Sequence, residues 1–280
     1  MTTVFEERHA SHPGDYVNYD TDRLRDEYLV PNLFTADTVN LTYTHVDRVI
    51  VGGVMPVDTV VKLETVDALK SDYFLERREL GIINIGAPGC VEVDGTIYEI
   101  GTKEALYVSR GSQDVKFSSN VKTSPSKFYI LSTPAHREFP TTKVGQGDAQ
   151  VIELGAAETC NKRTLRKLLV KDVLETCQLQ MGMTELAEGS CWNTMPCHTH
   201  SRRMEVYMYF NVPEGQAVCH FMGPPQQTRT IWMHNEQAVI SPTWSLHSGV
   251  GTSNYTFIWG MAGENHDYDD MDKVQPTELR

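Results

Sequence analysis

Short runs of β-favouring residues, bounded by Gly, Pro, Asn and Asp, recur along this chain and constrain its fold more than any other feature. One run at residues 90–93 is followed by the pair Asp94-Gly95 and then by a second run at 96–100. Asp-Gly between two such runs predicts a hairpin with a two-residue turn. Similar runs continue to about residue 263. Many short strands at this spacing predict an all-β sandwich or barrel.

The two halves of the chain resemble each other weakly. Residues 79–84 resemble 205–211 with a slip of one position, and 104–109 resemble 236–241 at a similar displacement. At 280 residues the chain is also longer than a typical domain, which has ~100–150 residues. Length and repeat together predict two duplicated β-barrels.

Changes in composition divide the chain into three parts. Residues 1–40 are polar and acidic, with a short possible helix at about 21–29, and we expect them to form an N-terminal arm. A loop rich in Thr and Gly precedes residue 150, and residues 161–169 are basic. We therefore expect a first barrel at 41–150 and a second at 151–280.

Charge excludes several classes of partner. The chain has 25 Lys and Arg against 37 Asp and Glu, a formal net charge of -12. Nucleic-acid binders need a basic face that displaces counterions from phosphates, so we expect no nucleic-acid partner and no anionic membrane surface. The longest uncharged stretch, 237–263, carries Ser, Thr, Asn, Pro and His throughout and is not expected to span a bilayer.

The beginning of the chain and its cysteines predict a cytoplasmic protein. Glu6, Glu7 and Arg8 interrupt the apolar run that a signal peptide needs. The six cysteines form no Cys-x-x-Cys pair and lie mostly in apolar surroundings, which is typical of reduced thiols rather than of a disulfide framework.

The strongest chemical signal is the pair His198 and His200, followed by Glu205 at the start of a β run. Alternate side chains of a strand share a face, so the two histidines can hold one ion. Glu205 has the opposite parity and joins them only if the polar stretch between them turns the chain. Glu205 would then open a second strand and share its face with Tyr207.

A third imidazole, His247, lies in a short stretch bounded by Pro242 and Gly249. A single His-x-His often arises by chance in a chain with ten histidines, whereas a carboxylate and a further histidine in such strands do not. Three imidazoles and one carboxylate suit zinc, iron or manganese and leave coordination positions for a substrate. The sequence therefore predicts a catalytic metal site whose ligands are His198, His200, Glu205 and His247.

The arrangement of these residues resembles the two motifs of the cupin superfamily. These are His-x-His-x4-Glu and, about 40 residues later, Pro-x-x-x-x-His. The chain departs from the usual pattern at Trp244, where a Gly is expected, and at Gly189, which is further from His198 than is common. Neither position supplies a ligand.

Longer segments resemble one cupin family, the 5-keto-4-deoxyuronate isomerases, also called 4-deoxy-L-threo-5-hexosulose-uronate ketol-isomerases. The segments are residues 73–81, 172–179, 192–200, 233–242 and 257–261. The resemblance implies an all-β bicupin fold of two double-stranded β-helix (jelly-roll) barrels with a few short helices. It also implies one zinc ion per chain on the four predicted ligands, with iron or manganese not excluded, and a cytoplasmic homohexamer. Val115 lies near the place of His247 in the repeat, so the first barrel is expected to be structural or an assembly surface.

The reaction implied by the resemblance is an aldose–ketose isomerisation in pectin and uronate degradation. It converts 5-dehydro-4-deoxy-D-glucuronate to 3-deoxy-D-glycero-2,5-hexodiulosonate, and a metal would stabilise the enediolate. Glu185 and Tyr207, beside Glu205, are candidates for proton transfer, although both also fit ordinary strand positions. Arg202 and Arg203 are candidates for binding the substrate carboxylate, although both also fit solvated turn positions or salt bridges.

Two other functions stay open on the sequence alone. A cupin dioxygenase can use the same ligand set to bind ferrous iron. A non-enzymatic cupin can bind a sugar acid as a sensor or serve in assembly, but residues 1–40 are acidic and show no helix-turn-helix pattern.

Overall fold

β-Strands dominate the computed structural model, which describes residues 2–264 and 266–280. The prediction of an all-β protein with a few short helices is confirmed. The helices are α1 (Pro13–Tyr16) and α2 (Thr21–Tyr28), with 3₁₀ turns at Asp67–Leu69 and Pro276–Glu278. Asp20 caps α2 by accepting a hydrogen bond from the Arg23 N–H. Within the described residues, no helix is both long and apolar enough to cross a membrane.

The strands of the described residues are numbered in chain order. Those before residue 150 are β1 (Thr2–Arg8), β2 (Leu29–Val30), β3 (Thr38–Thr44), β4 (Ile50–Val54), β5 (Val61–Lys62), β6 (Arg78–Asn84), β7 (Gly89–Val93), β8 (Thr96–Ile100), β9 (Ala105–Val108), β10 (Val115–Ser119), β11 (Phe128–Pro134) and β12 (Thr142–Val144). Those that follow are β13 (Gln150–Leu154), β14 (Arg163–Leu169), β15 (Gln180–Leu186), β16 (Trp192–Asn193), β17 (Cys197–Thr199), β18 (Arg203–Phe210), β19 (Val218–Gly223), β20 (Arg229–Met233), β21 (Gln237–Ser241), β22 (Leu246–Gly251), β23 (Thr256–Gly263) and β24 (Asp272–Val274).

The first of two compact units contains a large and a small sheet. Their strand orders are β1-β3-β4-β11-β6-β9-β12 and β5-β10-β7-β8. Side chains such as Ile82, Phe117 and Phe128 are fully buried in a common core. The predicted hairpin is confirmed, because Val93 pairs with Thr96 across Asp94 and Gly95, and both turn residues have positive φ.

The second unit repeats the strand succession of the first. Its large sheet has the order β13-β14-β15-β23-β18-β21-β2 and its small sheet the order β16-β22-β19-β20. The predicted repeat pairs β6 with β18 and β9 with β21, and these strands occupy matching places in the two orders. A further pair, β17 and β24, adjoins the predicted ligand segment, with His198 opposite Lys273.

The two units do not follow the predicted boundaries at residues 40 and 150. The first comprises Met1–Arg8, Asn32–Ala149 and Leu168–Gln180, and the second comprises His9–Pro31, Gln150–Lys167 and Met181–Arg280. The expected N-terminal arm is thus divided, because β1 pairs with β3 in the first unit and β2 pairs with β21 in the second. Such long-range pairing leaves no signal in local composition.

Candidate metal centre and its cavity

Four side chains of the second unit converge on one point. His198 lies on β17, His200 directly after it, Glu205 on β18 and His247 on β22. A bend at residues 201–202 separates β17 from β18, as the opposite parity of Glu205 required. All four side chains are buried. The juxtaposition that the sequence predicted is therefore present.

The donor atoms are spaced as one metal ion requires. The Nε2 atom of His198 is 3.1 Å from those of His200 and His247. Oε2 of Glu205 is 2.9 Å from Nε2 of His200 and 2.8 Å from that of His247. Donors held ~2.1 Å from an ion at right angles to each other lie ~3 Å apart. The four residues thus fit a divalent ion, and this is the one fully buried group of potential ligands among the described residues.

The protonation of these residues favours electron-pair donation. Burial, aided by the neighbouring His247, lowers the pKa of His198 to about 2, so its ring is neutral. Burial opposes ionisation of Glu205, but its electrostatic interactions and hydrogen bonds with His247 and His200 outweigh burial and hold the Glu205 pKa well below its usual value. Nδ1 of His200 lies 2.9 Å from the Asp270 carbonyl, which places the proton on Nδ1 and leaves Nε2 for an ion.

The centre opens into a cavity of ≈ 460 Å³ in the second unit. This volume suits a small organic ligand. The inner face of the large sheet lines it, with Glu205 and Tyr207 on β18, Trp259 on β23 and Thr184 on β15. The indole N–H of Trp259 is buried and has no hydrogen-bond partner within the described part of the chain.

The structure separates the two candidates for proton transfer. Tyr207 lines the cavity, and its hydroxyl lies 2.8 Å from Oγ1 of Thr194. Burial, followed by the charge of Glu205, raises the Tyr207 pKa well above its usual value, so the phenol is protonated. Glu185 does not line the cavity and instead accepts a 2.7 Å hydrogen bond from Arg166. Its neighbour Thr184 faces the cavity, and alternation along β15 turns Glu185 to the other side.

Neither guanidinium proposed to bind the substrate carboxylate lines the cavity. Arg202 is exposed and pairs with Glu264 at 2.8 Å. Arg203 is fully buried and donates hydrogen bonds to the backbone carbonyls of Asp267, Tyr268 and Asp270. The carbonyl of Asp270 also contacts His200, so Arg203 braces the segment that orients this ligand.

Replacement of Arg203 by Met should therefore weaken metal binding although Arg203 touches no ligand atom. We expect ~10–100-fold lower affinity, because the 267–270 segment loses its donors and His200 its fixed orientation. Chelator competition with Zn²⁺ measures the change. Arg202→Met, next to it but exposed, is the matched control and should retain wild-type affinity. Equal affinities of the two variants would show that the brace has no influence on the centre.

Sequence reasoning missed the groups at another side of the cavity. Arg163 and Lys167 project from β14, and Tyr268 and Asp269 come from the segment that Arg203 braces. The basic composition of residues 161–169 was a signal for the first two. Nothing local to residues 266–270 indicated that this polar segment covers a site.

Full-length relatives share much of this sequence. A 4-deoxy-L-threo-5-hexosulose-uronate ketol-isomerase of Formosa agariphila is 60% identical over 280 residues, with 100% of both chains covered. Proteins of the same name from Bacteroides fragilis and an Enterobacter species are each 55% identical. The alignment with the Bacteroides protein covers 100% of both chains. The alignment with the Enterobacter protein covers 98% of this chain and 99% of the relative. The resemblance to this isomerase family is confirmed.

Solved structures support the cupin-like fold. An IolB-like protein from Salmonella typhimurium has a TM-score of 0.67 at 14% identity, covering 81% of this chain and 87% of its own. A point mutant of Bacillus subtilis oxalate decarboxylase has a TM-score of 0.54 at 9% identity, covering 78% of this chain and 70% of its own. The family comparison matches residues 28–275 to the KduI/IolB family. The chain belongs to the KduI/IolB family.

Proposed function

We propose that this protein is a metal-dependent ketol-isomerase acting on 4-deoxy-L-threo-5-hexosulose uronate, which is 5-dehydro-4-deoxy-D-glucuronate. Its product is 3-deoxy-D-glycero-2,5-hexodiulosonate. The observation that carries the proposal is the buried set of three histidines and one glutamate beside a ligand-sized cavity. The names of the relatives above support the substrate and the reaction.

The reaction moves one hydrogen between the aldehyde carbon and the neighbouring hydroxyl-bearing carbon. His198, His200, Glu205 and His247 would hold a divalent ion, which would stabilise the negative charge that develops on the two oxygens. The protein's part is to hold this ligand set in a buried pocket and to orient His200 through its Nδ1 proton. Neutral imidazoles and one carboxylate leave a net positive charge for these oxygens when the ion is bound.

Proton transfer between the carbons needs a group in the cavity. Several side chains there can carry a proton, among them the carboxylates of Glu205 and Asp269, the phenols of Tyr207 and Tyr268, and the amine of Lys273. The Tyr207 hydroxyl is held by Thr194 and can donate to a sugar oxygen. Glu185 points away from the cavity and pairs with Arg166, so it cannot transfer the proton between the carbons of a bound sugar.

The ligand set is also compatible with an oxygen-activating iron site, but no specific observation favours a dioxygenase or a non-enzymatic sugar-acid-binding cupin. The relatives named above are isomerases throughout. Zinc as the metal, a homohexamer and a cytoplasmic location are implied by the family resemblance and stay predictions.

The decisive experiment follows the purified protein with the keto acid in deuterated water by NMR. We expect conversion to the ketose with deuterium at one carbon, because a base in the cavity exchanges its proton with solvent. Removal of the metal by a chelator should abolish turnover, and added Zn²⁺ should restore it. Oxygen uptake measured in parallel should be absent. Turnover that persists without metal, or oxygen consumption, would contradict the proposal.

A further inference from the structure

We infer that Arg163 and Lys167 form the subsite for the substrate carboxylate, opposite the metal centre in the same cavity. The inference rests on the proposed function for the identity of the substrate. It moves the role from Arg202 and Arg203, which do not line the cavity, to two of the three cationic residues that do, the third being Lys273 beside the metal centre.

Both residues are presented to the cavity by the same face of β14. Residues 163, 165 and 167 of this strand line the cavity, as expected for alternate positions. The intervening Arg166 points to the opposite side, where it pairs with Glu185 at 2.7 Å. The alternation of side chains along β14 therefore turns Arg163 and Lys167 toward the cavity and leaves Arg166 to pair with Glu185 on the other face.

Lys167 is a buried cation without an anion. Only 7% of its surface is exposed, and its Nζ atom lies 3.9 Å from the centre of the Tyr268 ring. No ion pair joins it to a carboxylate of the described residues. A buried ammonium group is costly unless paired, and one aromatic face compensates only partly. An anionic ligand group in the cavity would complete its interactions.

The guanidinium of Arg163 also has N–H groups that can donate to a ligand. Its Nη1 donates a 2.8 Å hydrogen bond to the Asn161 carbonyl, which holds the side chain in place. In the described parts of the chain it too forms no ion pair with a carboxylate. Burial lowers its pKa, and the titratable groups that act on it are the phenols of Tyr207, Tyr268 and Tyr255. A planar guanidinium held in this way suits a carboxylate.

The position of the pair matches the length of the substrate. The strand order β14-β15-β23-β18 puts Arg163 and Lys167 three strands from Glu205, about 14 Å across the sheet. An extended lysine side chain spans ~6 Å of this distance from Cα to Nζ. The reacting aldehyde and the carboxylate stand at opposite ends of a six-carbon chain, ~6 Å apart when extended. One molecule can therefore contact the metal centre and the cations together.

The test compares the keto acid with its carboxamide in wild-type protein and in Lys167→Met and Arg163→Met. We expect wild type to prefer the acid by roughly 100-fold in kcat/KM, and each variant to lose roughly 10-fold or more of this preference. Turnover of the carboxamide should change little. Arg166→Gln, on the same strand but facing away, is the matched control and should keep the wild-type preference.

Equal losses for acid and carboxamide would overturn the inference, because a structural defect does not distinguish the two compounds. An unchanged preference would overturn it as well. If wild type does not isomerise the keto acid, the proposed function fails, and calorimetry with D-galacturonate and D-galactose then decides the subsite. Tighter binding of the acid that is lost in Lys167→Met supports the subsite, and equal or absent binding of the two compounds overturns it.

Discussion

Replacement of His198 by Ala should remove metal and activity together. The change deletes the imidazole whose Nε2 lies 3.1 Å from those of His200 and His247, within a group of four donors that suits a single ion, and alanine offers nothing in its place. We expect a metal content near zero after dialysis and a fall in kcat/KM of at least ~10³-fold. Elemental analysis and the isomerase assay measure the two effects on one preparation.

The fold should survive this change. His198 lies on the short strand β17, outside the two larger sheets of its unit, so circular dichroism should be unaltered. His234→Ala is the matched control, because His234 is exposed and lies outside the cavity. It should keep both metal and turnover. A His198→Ala protein that lacks metal yet keeps wild-type turnover would refute a metal-dependent reaction.

Most of the group of potential metal ligands could be predicted because its signal is local. Parity along one strand puts His198 and His200 on one face, and the polar bend before Glu205 reverses the chain within a few residues. His247 was predicted from its place in a short stretch bounded by Pro242 and Gly249, and the cupin resemblance then pointed to the same residue. The structure brings all four donor groups together, although β17, β18 and β22 belong to different sheets.

The cationic residues that line the cavity could not be predicted in the same way. Arg202 and Arg203 were attractive because they adjoin His200 in sequence, but one faces solvent and the other holds backbone carbonyls. Arg163 and Lys167 reach the cavity only because β14 lies in one sheet with β18. Strand order is a tertiary property, and residue type and spacing within one segment do not encode it.

The division of the chain into two units shows the same limit of prediction from local sequence. The turn at Asp94 and Gly95 was predictable, because its conformation depends on two residues. The division of residues 1–40 between two units depends on the pairing of β1 with β3 and of β2 with β21. The strands with which β1 and β2 pair lie further along the chain, so the sequence of residues 1–40 alone does not identify them.

Replacement of Glu79 by Ala should destabilise the first unit strongly. This carboxylate is fully buried on β6 and accepts four hydrogen bonds. Oε2 receives the Tyr107 hydroxyl and the Cys177 N–H, both at 2.8 Å, and Oε1 receives the N–H groups of Gln178 and Leu179 at 2.8 and 2.9 Å. Glu79 thus anchors the segment 168–180, which the boundary predicted at residue 150 had assigned to the other barrel.

The loss should be large because alanine leaves three backbone N–H groups and a phenol without their acceptor. Unsatisfied buried donors of this kind cost ~1–3 kcal/mol each and do not add fully, so we expect ~3–5 kcal/mol in the free energy of unfolding. Thermal unfolding followed by circular dichroism should show a midpoint lower by roughly 10 °C. Glu92→Ala is the matched control, because Glu92 forms only a partly exposed pair with Lys116 and should contribute under ~1 kcal/mol. If both variants unfold at the wild-type temperature, the four hydrogen bonds do not hold this segment, and its place in the first unit must depend on apolar packing alone.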